Sequence, residues 1–457
     1  MFIRCVFNNI YSFGKETELN MFPAPRFTRL KHHRLRGAGI EVLKLASIYG
    51  ANGAGKSNLI RALALLQTIV VSGQLPSSLA LARMKHFHDR ETPTMLAIEF
   101  IIEENAYLYA LEIGDATVER EELYLSGLGK RADELVYERS TTKNGAVTLR
   151  FFDAFMHSDE GRVLKSILEK NLIKPTMTAL KVLADLGNPE LLHMARAYEW
   201  FVKKFHIVTP SMKPFGLAHL IDTNPQFHQY AEETMCSFDV GIKKLRTTRK
   251  SIEEFFGEDN RQDMERIVKE IGAQPNSMMG LYNDEGEEFV VVQEGERMVV
   301  KQLQTMHESK DGNLVTFAIS EESDGTRRLM EYLLAFKSIV SSDVTYFIDE
   351  MERSIHPLLI KEIMRKFSED VTSKGQLIFT THESNLLDQE IFRQDEIWFA
   401  EKDRIGSTDL YSLCEFKEHN TKDIQKGYLT GRYGSIPFLA NLKDLHWDLY
   451  DFTEQTV

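Results

Sequence analysis

The sequence predicts an α/β fold: a mixed, largely parallel sheet with an antiparallel β subdomain and a mainly helical insertion. Three observations carry that prediction. An apolar run, Leu43 to Tyr49, feeds a glycine-rich loop and then an apolar-periodic helix. Residues 94–152 hold several strand-length runs separated by turn residues. From Leu314 onward the pattern reads strand, helix, strand, helix, strand, as parallel α/β units do. The interval between the last two regions breaks the alternation. It divides the chain into an N-terminal half (1–155), an insertion (156–310) and a C-terminal half (311–457).

At 457 residues the chain has room for two or three domains, or for one large domain with an insertion. The net charge of −13 argues against a surface that binds nucleic acid everywhere, but it leaves room for a local basic patch. The three cysteines, Cys5, Cys236 and Cys414, lie too far apart in sequence for a Cys-x-x-Cys site or a disulfide framework, which points to a reducing cytoplasm. No run of about eighteen apolar residues exists, so no transmembrane helix is expected. Met1 to Asn9 reads as a short strand rather than a secretory leader.

In chain order, residues 2–10 and 16–22 form a first strand pair joined by Tyr11-Ser12-Phe13-Gly14. Residues 26–36 then carry Arg26, Arg29, Lys31, Arg34 and Arg36 with His32 and His33 and no acid. Short basic loops are common and this one has little aromatic interleaving, so a solvated loop is the favoured reading over a nucleic-acid contact. Next, Gly50-Ala51-Asn52-Gly53-Ala54-Gly55-Lys56-Ser57 fits G-x-x-x-x-G-K-[ST] at every fixed position, between a strand and a helix. Glycines let the main chain wrap phosphates so that backbone N–H groups and a helix N-terminus face the anion. Lys56 would reach the β- and γ-phosphates, and the Ser57 hydroxyl would ligate Mg²⁺. Asn52, Gly53, Ala54, Gly55 and Asn58 complete the cradle. The helix buries Leu59, Ile60, Leu63, Leu66 and Ile69.

The runs 95–102, 106–113 and 118–125 suggest an antiparallel meander. Residues 160–206 are rich in leucine and helix formers, and 250–272 reads as one amphipathic helix. Between them Lys243, Lys244, Arg246, Arg249 and Lys250 form a second basic cluster. Residues 287–306 return to β with a hairpin through Glu294-Gly295-Glu296.

The C-terminal half supplies what a phosphate loop needs. Val344 to Glu350 is an apolar strand ending in two carboxylates. Asp349 sits where a metal-side carboxylate belongs, and Glu350 is placed to polarise an attacking water. Either would be an ordinary acidic turn in isolation; beside a phosphate loop the catalytic reading dominates. Upstream, Ser323-Asp324-Gly325-Thr326-Arg327 opens an apolar-faced helix, Leu329 to Val340, and offers Ser323 and Gly325 to an anion. Gln376 to His382 is another strand, whose terminal histidine could bond a γ-phosphate.

Taken in that order, the motifs resemble the ABC-type ATPases of the RecF/SMC/OLD-like group. Residues 50–57 correspond to their Walker A, Ser323-Asp-Gly-Thr-Arg to the signature, Asp349-Glu350 to Walker B with its catalytic glutamate, and His382 to the switch histidine. Asp349-Glu-Met-Glu-Arg-Ser-Ile-His-Pro357, Thr380 to Asn385 and Gly431 to Pro437 are most similar to compact AAA-family ATPases of prokaryotic defence islands. The resemblance covers roughly 1–130 and 310–440 and lapses in the middle. It implies an ABC-type head, ATP and Mg²⁺ as cofactors, and a head-to-tail homodimer or larger homo-oligomer. In that pairing, Ser323 and Gly325 would contact the γ-phosphate held by the opposite subunit. Asp324 stands where transporters carry glycine, which looks normal for this subgroup. The Q-loop glutamine is not placed: Gln67 lies within the helix and Gln74 is early. Tyr11 and Phe13 are candidates for the adenine side or for core.

Absences narrow the role. No Asn-Lys-x-Asp base reader occurs, which favours ATP over GTP. The insertion lacks sustained heptads and a Cys-x-x-Cys hook, unlike SMC arms. The scattered acids after His382 (Asp388, Glu390, Asp395, Glu396) make no two-metal nuclease site, and Asp395-Glu396-Ile-Trp-Phe reads as a strand start. The expectation is an ATPase that scaffolds, senses or restrains a separately encoded nuclease or toxin in antiphage defence. The alternative is a RecF-like repair or recombination ATPase that clamps DNA, with nucleic acid as its partner.

Overall fold

The computed structural model describes residues 1–211, 216–257, 260–272, 278–282, 287–416 and 423–436. Strands β1 (Phe2–Asn8) and β2 (Thr17–Asn20) pair antiparallel, with Arg4 opposite Asn20. A small hairpin, β3 (Arg34–Gly37) with β4 (Ile40–Leu43), leads into β5 (Leu45–Tyr49), whose five side chains are all buried. Burial on both faces is what a central parallel strand requires. Helix α1 (Lys56–Ser72) follows and stops at Gly73, which takes a left-handed φ of 72° and donates its N–H to Ile69 O. A short α2 (Ser78–Met84) precedes the expected meander: β6 (Thr94–Ile102), β7 (Asn105–Ile113), β8 (Val118–Leu125), β9 (Glu134–Thr141) and β10 (Val147–Phe151). With β1 and β2 these make a seven-stranded antiparallel sheet in the order β10-β9-β8-β7-β6-β1-β2.

Helices α3 (Asp153–His157), α4 (Asp159–Ile167), α5 (Ala179–Asp185) and α6 (Leu192–Glu199) come next. Their apolar residues, including Leu180, Leu183 and Met194, join the same core as α1 and the meander, with Trp200 just beyond α6. Strand β11 (Phe205–Val208), inside the interval read as an insertion, runs parallel to the Asp349 strand and becomes an edge of the central sheet. Helices α7 (Leu217–Thr223) and α8 (Pro225–Ser237) follow, the latter capped by Asn224 with Pro225 in its first turn.

Strand β12 (Ile242–Ser251) carries the second basic cluster. The single helix expected over 250–272 is instead α9 (Ile252–Phe256) and α10 (Arg261–Gly272), with Gly257 at φ +68° after α9. Periodicity spans such a break because both pieces present apolar residues to one small core of Ile252, Ile267, Ile271 and Phe289. β13 (Met278–Tyr282), β14 (Glu288–Glu294) and β15 (Arg297–Glu308) complete a second antiparallel sheet, β12-β15-β14-β13, including the expected hairpin at 294–297. β16 (Leu314–Ala318) pairs with β15, Ala318 opposite Gln304, so the first strand of the expected α/β alternation belongs to this sheet. A short strand half exposed along its length satisfies either sheet; register decides, and register is non-local.

The remaining elements are α11 (Asp324–Ser341), β17 (Thr345–Ile348), α12 (Pro357–Glu369), β18 (Gln376–Thr380), β19 (Ile397–Lys402), β20 (Thr408–Ser412) and α13 (Ile424–Leu429). The central sheet runs β11-β17-β18-β5-β19-β20, parallel except for the β19–β20 pair. Ala46 and Ile48 face the core shared with α1 and the meander, whereas Leu45 and Tyr49 face the core shared with α11, α12 and α13. The alternation of one strand thus joins both layers.

The 26–36 stretch is not the solvated loop expected: residues 31–33 form a 3-10 turn, 34–36 belong to β3, and several side chains are bound inward because acids and carbonyls of distant segments meet them. His33 is fully buried, its Nδ1 2.8 Å from Glu396 Oε1. Arg34 and Arg36 both pair with Glu41, and Arg26 donates to Cys414 O. Neighbouring Lys44 donates to the carbonyls of Phe367, Ser368 and Asp370 at the end of α12. No helix among the described residues is long and apolar enough to cross a membrane.

Candidate nucleotide site at the ends of three parallel strands

The loop after β5 is shaped by its glycines and by what stands behind it. Gly53 and Gly55 have φ of 79° and 108°. A Cβ on Gly55 would overlap Thr408 Oγ1 and come within 2.8 Å of Ser12 Oγ, so the position admits glycine alone. Thr408 Oγ1 donates to Ala54 O (2.9 Å) and lies 2.8 Å from Ser12 Oγ, and Asn58 Nδ2 donates to the same Ser12 hydroxyl (2.9 Å). Asn58 therefore spends its side chain holding the loop to Ser12. Asn52 and Gly53 are exposed at the loop tip, and Ala54 is buried.

Lys56 opens α1 and is buried, with Nζ 2.6 Å from Gly50 O and 3.2 Å from Ala51 O. Burial lowers its pKa; the carboxylates of Glu352, Asp349 and Glu350, in that order, oppose the shift. Ser57 Oγ lies 3.2 Å from Asp349 Oδ1, which also accepts from Thr380 Oγ1 at 2.5 Å. The Glu350 N–H donates to that same Thr380 hydroxyl (2.9 Å), and Glu350 takes a left-handed φ of 50°. For a non-glycine residue this conformation costs about 1–2 kcal/mol, held here by the bonds on either side. The hydrogen bond from Met351 N to Thr380 O then ties the loop to β18.

His382 follows β18 and is well exposed, at 58% of its side chain. Its backbone N–H (2.7 Å) and its ring Nδ1 (2.8 Å) both meet Oε1 of Glu352. Lys56, Ser57, Asp349, Glu350 and His382 thus lie around the C-terminal ends of β5, β17 and β18, where parallel sheets bind ligands.

Ser323 and Gly325 stand apart. Ser323 caps α11, accepting from Thr326 N at 3.1 Å, and is exposed beside Asp324. Among the described residues, no hydrogen bond links either position to the loop 50–57. Gly325 is needed because a Cβ there would overlap Ser354 O. The helix is fastened to the turn after β17 by Arg328 Nη2 donating to Asp349 O (3.5 Å) and by Tyr332 Oη donating to Met351 O (3.0 Å); within the helix Arg328 also donates to Tyr332 Oη (2.9 Å) and Glu331 (2.8 Å).

Sequence reading missed Ser12, Thr380, Glu352 and Thr408. Of these, Glu352, two residues beyond Glu350 in the Walker B stretch, and Thr380, two before His382, lay inside stretches already singled out. Gln67 serves structure, donating to Phe201 O and Phe205 O at the start of β11. Phe13 is fully buried against Phe7 and is core; Tyr11 is half-buried.

The donor set fits a nucleotide with Mg²⁺. Two left-handed glycines, a helix N-terminus without acids in its first turn and a buried lysine suit an anion. A hydroxyl and a carboxylate 3.2 Å apart suit Mg²⁺, which keeps several waters and phosphate oxygens among its ligands. No group of three His, Cys, Asp or Glu among the described residues would hold a metal unaided.

A family profile described as "AAA domain, putative AbiEii toxin, Type IV TA system" matches residues 45–150 and 178–388, more than half of the chain. The chain belongs to this family. The matched segments span the phosphate loop, α11, Asp349-Glu350 and His382, so this AAA-domain protein is a P-loop nucleotide-binding protein of ATPase type, with an α/β fold of mixed parallel and antiparallel sheets. Solved structures similar to it include an SMC head bound to the C-terminal winged-helix domain of ScpA (13% identity, TM-score 0.39, covering 90% of this chain and 97% of that one). Others are the SMC head domain of Thermotoga maritima (12%, 0.36, 90% and 98%) and a Pyrococcus furiosus SMC head with an extended coiled coil bound to the C-terminal domain of ScpA (14%, 0.37, 94% and 98%). A search of curated proteins finds no match.

Proposed function

We propose that this AAA-domain protein binds and hydrolyses ATP and that nucleotide-dependent pairing of two copies regulates a separately encoded effector, a nuclease or toxin of antiphage defence. The observation that carries the reading is the convergence of Lys56, Ser57, Asp349 and Glu350 at the ends of β5 and β17. Lys56, now folded onto Gly50 O, has the reach and charge to turn to a phosphate chain bound by the loop amides of 52–58. Ser57 and Asp349 would hold Mg²⁺, which neutralises charge developing on the transferred phosphoryl group. Glu350 orients the attacking water, and Thr380 keeps Asp349 and the Glu350 backbone in fixed relation.

Exposure of Ser323 and the lack of a bond to the same chain's loop support a composite site, in which Ser323 and Gly325 complete the site of a second copy. The family description, a putative toxin of a toxin–antitoxin system, supports a role in a two-component system. The three-part division at 156 and 310 is proposed as functional, the 242–308 sheet being its partner-facing part. Isothermal titration is the test: Lys56→Ala should lose ATP binding altogether, and unchanged affinity would sink the reading.

One observation favours the DNA-clamp alternative. β12 is an edge strand, and Lys243, Lys244, Arg246 and Lys250 on it are exposed; among the described residues, Arg249 alone of the five bases of the cluster pairs with acids, Asp222 and Glu294. If this edge grips duplex phosphates, neutralising those four side chains should reduce the slope of log K against log salt by about 3–4.

A further inference from the structure

Glu352 is a charged side chain only 7% exposed, yet its Oε2 atom is buried with no hydrogen-bond partner. Burying a carboxylate is expensive, and leaving one of its oxygens unbonded adds to the cost. The other oxygen meets one residue, His382: it accepts the backbone N–H at 2.7 Å and lies 2.8 Å from ring Nδ1. A carboxylate can only accept, so Nδ1 carries the proton and Nε2 is the ring atom left facing outward. In the neutral ring Nε2 is then bare and cannot donate to a phosphate oxygen.

We infer that Glu352 is a positioning residue: it pins His382 through Nδ1, so that Nε2 meets the terminal phosphate of ATP and must take up a second proton to do so. The proton comes from solvent onto Nε2, and the imidazolium is held between the Glu352 carboxylate and the phosphate. The surrounding ionisable groups are Asp349 and Glu350 on the same loop, Glu383 next in the chain to His382, Lys56 on α1, Tyr49 on β5 and Tyr332 on α11. Glu352 is foremost among the carboxylates acting on Lys56, so one buried anion serves both cations that would face the phosphates. The inference rests on the ATP-binding reading.

The test is titration calorimetry of ATP and of ADP into the Glu350→Gln protein, in two buffers of different ionisation enthalpy at pH 7.5. Net proton uptake with ATP but not with ADP is expected, and it should disappear in the Glu350→Gln/Glu352→Gln and Glu350→Gln/His382→Ala proteins. In the otherwise wild-type protein, Glu352→Gln should lower kcat by about 10–100-fold while KM moves little. ATP binding without proton uptake, or uptake that survives Glu352→Gln, overturns the inference. Nitrogen-15 histidine spectra of the unsubstituted protein decide it independently: an Nδ1–H tautomer at His382 upholds the pinning, and an Nε2–H tautomer overturns it even if Glu352→Gln fails to fold. Failure of every protein to bind either nucleotide would instead remove the ATP-binding reading, with the spectra still deciding the Glu352–His382 pair.

Discussion

Individual side chains do two kinds of work around the candidate site, and substitutions separate them. On the proposed reading Glu350 contributes chemistry and little packing: its backbone, not its carboxylate, makes the bond to Thr380. Glu350→Gln should therefore keep ATP affinity within a few-fold while lowering turnover by roughly 100-fold or more, read by calorimetry against phosphate release. Gly55 is the opposite case. Gly55→Ala must displace Thr408 and strain a φ of 108°, so a loss of several degrees in melting temperature is expected even without nucleotide. The loop, Asp349-Glu350 and His382 were legible in sequence because each is a contiguous run whose spacing carries its chemistry. Glu352, Thr380, Ser12 and Thr408 were not, since their roles exist only as contacts between residues 30 to 396 apart in the chain.

Among the secondary elements, β14 carries a titratable feature with a stability consequence. Burial pushes the Glu288 carboxyl up to about 7, while the N–H of Gly216 bonds its charged form at 2.5 Å. Below its unfolded value of 4.5 the group is protonated in both states. Between 4.5 and about 7 the folded state holds the extra proton, so stability falls as pH rises through that window and is lowest above it. Glu288→Gln should consequently stabilise the protein at pH 8 by about 1–3 kcal/mol, and by much less at pH 5.5, measured by urea denaturation at both. The helices and the meander were predictable from periodicity. β11 was not: Phe205-His-Ile-Val is a four-residue run behind a helical stretch, and what makes it a strand is β17 waiting alongside. β16 was assigned to the wrong sheet for the same reason, its partner being settled by register with β15.

For the molecule as a whole, the proposed pairing is the property to measure. With ATP, the Glu350→Gln protein should scatter light as a dimer or larger assembly, and with ADP as a smaller species. Ser323→Arg should keep ATP affinity yet stay monomeric, because a bulky cation would sit where a second copy's phosphate is to be met. Retention of the dimer by Ser323→Arg would count against the composite arrangement. Mass spectrometry of the Glu350→Gln assembly taken from its native host would separate a protein effector from bound DNA.

The link between β15 and Ser323 bears on how such an assembly would move. β15 and β16 form a hairpin whose open end is the Gln304–Ala318 pair, and Ser323 lies five residues beyond Ala318. A pull on α11 meets first the ties of Glu322 to Thr305 and His307 on β15, and then that outermost rung. Rungs of a hairpin loaded at its open end break in succession, whereas rungs loaded along the strands must all fail together. Once the Glu322 ties release, the junction would yield rung by rung, so on the proposed reading the small sheet could stay seated on its partner while α11 shifts. In mechanical terms, the connection is a zip and not a weld.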